Sequence, residues 1–471
     1  MSIAADAQTI AETRPSSRRF YFTAWRWHFY AGLYVAPFLM MLAVTGLIML
    51  WSAVFVGRDG EKYYAVTPSA TQVALSQQAD AALAAVPGGA LVTYIAPRTP
   101  TEPAVFRVNV EKAGTMVAVD PADGKVLGTW ERRNALYDLA DKIHGTLLIG
   151  DLGDRLIEIA AGFGIVLIVT GLYLWWPRNG ASLGSVLVPR LAGGGRLVWK
   201  SLHLTVGFYV SLVLLVFLLS GLTWAGIWGE KFTQAWSTFP AEKWDNVPLS
   251  DKTHASLNLD GVKNAPWTLE QTPMPASGSQ AGTPGAVEGQ PVTIDTVVAY
   301  ARANGFDGRF QLAFPDGDTG VWTIARDTMS NDAANPMSDR TVHLDRYTGK
   351  VLADIPFADY GVAGKAMAVG IAFHEGDMGL WNLVLVTVFC LSMLFLSVSG
   401  IVMWWKRRPK GGGARLFAPV VSEPGPLWKT GAIIMLAVSL LFPLSGAVLV
   451  AVLLLDFIVL RHIKPLKRIV S

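Results

Sequence analysis

Four apolar stretches, at 20–56, 144–176, 201–228 and 371–405, decide what this chain can become. Each holds a run long enough, at about 20 residues, to cross a hydrocarbon layer roughly 30 Å thick. Inside lipid the backbone must satisfy its own hydrogen bonds, so such a run is either a helix or part of a closed barrel. These runs are continuously apolar rather than alternating, which selects helices. With 52% hydrophobic and 16% charged residues, the chain is not an ordinary soluble globule. Its single cysteine, Cys390, lies inside an apolar run and excludes both an intrachain disulfide and a thiolate cluster.

The first and third stretches share a pattern. His28, Gly32, Tyr34 and Val35, followed by Thr45-Gly46, return 175 residues later as His203, Gly207, Tyr209 and Val210, followed by Ser220-Gly221. From histidine to the distal glycine is 18 residues in both copies, about five helical turns and about 27 Å, so imidazole and glycine share a helix face near opposite sides of a bilayer. The second and fourth stretches match too. Thr170-Gly171 precedes Trp175-Trp176, and Ser399-Gly400 precedes Trp404-Trp405, with the Trp pairs read as interfacial belts. The chain is therefore an internal two-fold repeat of helix, insert, helix.

Between the repeated helices lie two polar inserts, 57–143 and 229–370. Each reads as a helix followed by alternating strands, and Asp123-Gly124-Lys125-Val126-Leu127 is mirrored by Thr348-Gly349-Lys350-Val351-Leu352. Residues 265–291, rich in Pro, Gly, Ser and Ala, read as a flexible excursion. The tail 1–19, the loop 177–200 and the loop 406–427 carry most of the basic residues near the spans, with few acids. By the positive-inside rule these are cytoplasmic, and both inserts face outward into a bacterial periplasm. Arg14, Arg18, Arg19 and Arg26 run directly into the first span, which is expected to stay as an anchor. The last apolar run, 428–460, is either one long helix or a short hairpin turning near Pro443, and it is followed by a basic tail, 461–471.

The chemistry is expected from four histidines in two layers. His28 and His203 form an inner layer, and His144 and His374, just before the second and fourth spans, form an outer one. One histidine from each repeat per layer is what a bis-imidazole iron site on a two-fold axis needs. Gly171 and Gly400 reach the inner layer and Gly46 and Gly221 the outer one, leaving the backbone clear of a flat porphyrin. Copper and zinc also accept imidazole, but two imidazoles underfill such sites, whereas a haem brings four nitrogens of its own. No C-x-x-C-H motif is present, so the haem would be b-type. His254, His343 and His462 have no symmetric counterparts and read as ordinary surface residues.

The His-x-x-x-Gly starts, the Thr/Ser-Gly ends, the Trp-Trp exits and the Gly-Lys-Val-Leu turns of both inserts resemble the PepSY-associated transmembrane family of bacterial iron-regulated membrane proteins, over about residues 20–410. The resemblance implies an α-helical integral membrane protein of the inner membrane with two small periplasmic α+β, PepSY-like inserts. It further implies ferrisiderophore-reductase-like activity, with two haems b bound by His28, His203, His144 and His374. Cytoplasmic segments are too short for a built-in flavin or nicotinamide domain and carry no Gly-rich dinucleotide fingerprint. A quinol or a separate cytoplasmic reductase is thus expected as donor, with a ferric siderophore or another ferric chelate as acceptor. Lipid is the other partner, and no nucleic acid is expected. A membrane-anchored PepSY-type sensor, regulator or chaperone without redox activity is the alternative from another class, and a transporter built on parallel repeats is a third.

Overall fold

The structure, a computed structural model, describes residues 16–463 except 112, 132–134, 179–181, 245, 259–263, 287–289, 410–414, 420–427, 456–457 and 459–461. The extreme N-terminal tail and the basic residues from 464 onward lie outside the described residues. The chain forms two compact units, one built from residues up to Val44, His144–Phe232 and Val388 onward, the other from Thr45–Ile143 and Thr233–Thr387.

The first unit is helical. Four helices are long and apolar enough to cross a membrane, over Phe20–Phe55, Asp151–Trp175, Gly195–Leu222 and Leu380–Arg407. They belong to α1 (Ser16–Phe55), α4 (Asp151–Trp175), α5 (Gly195–Leu222) and α8 (Leu380–Arg407), helices being numbered in chain order. Small residues set the packing: a Cβ on Gly164 would fall 2.8 Å from Leu218 Cδ1, so α4 and α5 approach closely there because a hydrogen replaces a side chain. Where α5 ends, the chain restarts as a short turn at Gly226–Trp228 whose first amides have no carbonyl behind them. Asp154 accepts from Gly226 N at 2.9 Å and Glu158 from Ile227 N at 3.0 Å. These carboxylates on α4 cap that restart, a structural use for ionisable groups in a span.

Past residue 427 come α9 (Trp428–Leu441) and α10 (Pro443–Leu455). A Cβ on Gly446 would sit 2.5 Å from Ser439 Cα, although residues seven apart in one helix are about 10.5 Å apart along its axis. The chain therefore folds back at Phe442-Pro443. Ser445 packs against Gly162 of α4.

The second unit is organised by one eight-stranded antiparallel sheet in the order β10-β9-β8-β7-β1-β2-β3-β4. Strands β1 (Ala90–Ile95), β2 (Ala104–Val110), β3 (Ala113–Val119) and β4 (Val126–Glu131) come from the first insert. The second insert supplies β7 (Gln311–Ala313), β8 (Val321–Arg326), β9 (Arg340–Asp345) and β10 (Val351–Pro356). Thr93, Tyr94 and Ile95 of β1 pair with Ala313, Leu312 and Gln311 of β7, so the two inserts are halves of one sheet rather than two separate modules. On one face lie α2 (Leu75–Ala84) and α6 (Ile294–Ala303), the latter closed by a capping box between Thr293 and Thr296. Their inner residues Ala79, Ala82, Val297 and Ala301 meet Phe106, Phe306, Phe310, Ile324, Val342 and Leu344 in a single core.

Strand alternation sends Val342 and Leu344 to that helical face and Thr341, His343 and Asp345 to the opposite one. The opposite face of the second half is covered by described residues of 233–244, 246–258 and 264–286, including a small sheet of β5 (Leu249–Thr253) and β6 (Pro273–Pro275). Ala265, Trp267, Leu269, Thr272 and Ala276 are buried there. The stretch read as a flexible excursion is thus, through residue 286, a strap docked by its apolar residues. Its glycines serve turns and close approach: Gly278 and Gly282 have positive φ, and a Cβ on Gly285 would overlap Gly349 O.

Candidate functional site

The inner histidines meet in the helical unit. His28 on α1 and His203 on α5 have ring centroids 6.4 Å apart with their planes 87° to each other. Two imidazoles on opposite sides of one metal, at about 2.0–2.1 Å per metal–nitrogen bond, place their centroids about 6.3 Å apart, and at a tetrahedral angle only about 5.2 Å. The separation matches the first case.

Each ring is held by a hydroxyl on the partner helix of its own repeat unit. His28 Nδ1 lies 3.0 Å from Thr170 Oγ1, and His203 Nδ1 lies 2.7 Å from Ser399 Oγ. Thr170 Oγ1 donates its proton to Val166 O at 2.6 Å and Ser399 Oγ donates to Leu396 O at 2.9 Å, so both hydroxyls accept from the imidazoles. That assigns the proton to Nδ1 in each ring and leaves Nε2 with its lone pair, the state a metal ligand requires. The neighbouring glycines are where the rings need room: a Cβ on Gly171 would come 3.2 Å from His28 Cε1, and one on Gly400 would come 3.9 Å from His203 Cε1. The donor set and the space beside it fit a group that would be held through both imidazoles.

His144 and His374 occupy equivalent local positions. His144 is near the end of α3 (Ala135–Thr146) and His374 near the end of α7 (Val362–Glu375), each half-buried on a helix separate from the span that follows. Leu147, Leu148 and Gly150 break the first junction with positive φ, and Gly376 and Gly379 break the second. His144 belongs to the helical unit and His374 to the sheet unit. Gly46 on α1 and Gly221 on α5 are both half-buried. Among the described residues, no cluster of three or more His, Cys, Asp or Glu side chains is arranged to hold a metal ion.

A family model for the PepSY-associated TM region matches residues 25–407. The chain belongs to this PepSY-associated transmembrane family. No curated protein matches it.

In this PepSY-associated protein the tryptophan pairs divide their work. Trp175 is buried, stacks on Phe208 with centroids 3.9 Å apart, and donates to Val186 O at 3.2 Å, while Trp176 is exposed. Trp404 donates to Leu416 O at 2.6 Å and Trp405 is exposed. The first member of each pair therefore fastens the following loop, and only the second fits an interfacial belt.

Two polar clusters of the sheet unit were not readable in advance. His254 and His343, expected at the surface, are fully buried, with Nε2 atoms 2.9 Å apart and centroids 4.9 Å apart. That spacing is a hydrogen bond and is too short for a metal between the rings. The usable signal was the alternation in Arg340–Asp345 beside an apolar strap carrying Trp244, Trp267 and Leu269, which buries both faces of β9. The second cluster surrounds Arg309, whose guanidinium contacts Asp59, Glu61 at 3.2 Å and Asp332 at 2.9 Å. Nearby, Arg58 contacts Glu375 and Asp377 at 3.0 Å each. Burial pushes the Asp332 carboxyl up to about 7 against the pull of Arg309. It raises Asp339 to about 8, helped by the charge of Asp327.

Proposed function

We propose that this PepSY-associated protein is a di-haem b electron-transfer protein of a bacterial inner membrane. In this reading it reduces a ferric chelate, a ferric siderophore foremost, on the periplasmic side with electrons taken from a quinol or a cytoplasmic reductase. The observation that carries the reading is the His28–His203 pair, with both Nδ1 atoms anchored and the centroids at an axial-ligand separation. A haem held there would supply one-electron iron chemistry. Thr170 and Ser399 fix the tautomer and orientation of the two ligands, and Gly171 and Gly400 keep side chains away from the rings. A bare ion would gain only two ligands from this pair, which favours a cofactor that brings its own equatorial nitrogens. His144 and His374 are proposed as ligands of the second, outer haem, with Gly46 and Gly221 beside it. The two-fold repeat, with both inserts periplasmic, gives one layer of ligands near each side of the membrane.

The test is a reduced-minus-oxidised spectrum of the purified protein. Wild type is expected to show haem b, and His28→Ala and His203→Ala are each expected to lose the same half of it. A colourless wild-type protein, reconstituted or not, would refute the reading and leave the non-redox sensor as the better one. A reporter fused near Gly193 is expected to behave as cytoplasmic and one near Ser279 as periplasmic.

A further inference from the structure

The buried imidazole pair of the sheet unit has a complete and directional proton arrangement. His254 Nδ1 lies 2.8 Å from Thr272 O, and a carbonyl can only accept, so His254 carries its proton on Nδ1. Its Nε2 is then an acceptor, and His343 Nε2–H donates to it across 2.9 Å. His343 Nδ1 accepts in turn from Thr323 Oγ1 at 2.9 Å, where Thr323 is the direct cross-strand neighbour of His343. Each ring holds one proton, and every ring nitrogen is satisfied. A further proton is costly on either ring: on His254 Nε2 it sets two N–H groups against each other, and on His343 Nδ1 it turns the Thr323 hydroxyl into an acceptor and puts a positive charge on a fully buried imidazole.

The pair also joins two different parts of the unit. His343 belongs to β9 of the main sheet, and His254 starts the turn after β5 of the strap. Apolar contacts flank the pair, Phe239, Trp244 and Leu269 against Ala353 and Ile355, and Met274 against Val321 and Leu352, and the strap's other polar ties include the exposed Lys252–Asp316 ion pair at 2.7 Å and Thr268 Oγ1 donating to Gly364 O at 3.4 Å. Trp244 lies 6.3 and 6.5 Å from the two imidazoles and closes the site from above.

We propose that His254 and His343 form an acid-operated latch, which holds the strap's described residues 249–258 and 264–275 against the sheet while both rings are neutral and releases them when the pair takes up further protons.

The surrounding charges do not offset such protons. Glu270, on the strap, accepts from Asn258 Nδ2 at 2.8 Å and Gln234 Nε2 at 3.1 Å. Asp345, two residues along β9, accepts from the backbone amides of Gly278, Tyr347 and Thr348. Glu242 and Lys243 beside Trp244, Asp251 and Lys252 on β5, and Asp354 on β10 are exposed to solvent. At the other end of the strap, Asp327, Asp339 and Tyr360 line a small cavity with Trp267. Burial lowers His254 to about 4 and His343 well below its ordinary value of 6.5, the latter helped by the charge of His254. The neutral pair is thus fully favoured above about 6.5, and its contribution is lost as pH falls toward 4. Asp327 and Asp339 act oppositely, because burial raises them to about 6 and about 8, so acid favours their folded form. The direction of the strap's response to acid separates the two groups.

Hydrogen–deuterium exchange of the full-length protein in micelles, with rates corrected for the pH dependence of intrinsic exchange, reads the opening. Between pH 6.5 and pH 5.0 the protection of residues 249–258 and 264–275 is expected to fall about 15-fold for one proton taken up and about 250-fold for two, because an exposed histidine is already half-protonated at pH 6.5. Peptides of α2 and β1–β4 should keep theirs. The His343→Gln variant should show a shallower dependence, and the His254→Asn/His343→Gln double variant should lose the fall, its protection staying level or rising in acid as Asp327 and Asp339 take up protons. The latch is overturned by any of three results: wild-type strap protection unchanged or rising in acid, loss spread equally over the sheet unit, or an unchanged pH dependence in the double variant. If the double variant does not fold, the wild-type slope and its confinement to 249–258 and 264–275 decide alone.

Discussion

Replacing Arg309 by Met removes a cation that contacts Asp59, Glu61 and Asp332 while keeping much of the side chain's volume. Arg309 is 2% exposed and its three partners are buried, so water cannot take its place. Breaking a buried ion pair from one side costs about 3–5 kcal/mol, because the remaining charge is left unpaired. At about 2–4 °C per kcal/mol for a unit of this size, melting of the sheet unit should fall by roughly 6–20 °C. The cost must depend on pH. Asp332 already sits near 7 in the folded state, well above its ordinary 3.8, so its contribution is present in acid and is lost as pH rises through about 7. Without the guanidinium its pKa rises further, and Arg309→Met should be more harmful at pH 8 than at pH 5. Neutralising the partners in Asp59→Asn/Glu61→Gln/Arg309→Met should recover much of the loss. Tryptophan-monitored melting of the full-length protein reports the unit through the buried Trp244, Trp267 and Trp322. A shift below about 3 °C, or one equally large at pH 5 and pH 8, would refute the reasoning.

Other substitutions read single contacts. On the proposed di-haem reading, Thr170→Val and Ser399→Ala each remove the acceptor that orients one inner imidazole, and each should weaken retention of the proposed inner haem about 10–100-fold, measured by competition with an apo-globin. Gly171→Ala places a methyl 3.2 Å from His28 whereas Gly400→Ala places one at an ordinary 3.9 Å from His203, so the inner haem's spectrum and midpoint potential should change more in the first variant. Glu158→Leu strips the cap from Ile227 and should destabilise the helical unit by about 1–3 kcal/mol, with Glu158→Gln milder, both read by thermal unfolding.

The spans and the facing of His28 toward His203 were legible because a lipid-crossing helix fixes length, period and repeat spacing together. The register then places Thr170 and Ser399 beside them, since the Thr/Ser-Gly pair ends a helix antiparallel to the one the histidine begins. The helix-then-strands pattern of each insert was legible, and both inserts fold that way. What alternation cannot give is which edge strand meets which, and nothing local in Thr93 or Ala313 announces that they pair. Burial of His254 and His343 was missed for the same reason. Polar residues 89 positions apart become partners only through a strap whose docking depends on Trp244, Trp267 and Leu269 rather than on any motif. Arg309 and its acids likewise look like ordinary surface charge until the sheet closes over them.

The β1–β7 pairing also sets a schedule for biosynthesis. Strand β1 ends at Ile95 and β7 begins at Gln311, so about 215 residues, including the helices Asp151–Trp175 and Gly195–Leu222, must be made before β1 meets its second neighbour. At about 5–20 residues per second that is roughly 10–40 s during which the nascent first half carries an open hydrogen-bonding edge at Thr93–Ile95. Its apolar helix-facing surface also waits for Phe306, Phe310 and Leu312 over the same interval. The half-made protein is thus a better target for holdases and proteases than the finished one, and an arrest of translation between the third apolar helix and Gln311 would strand it in that state.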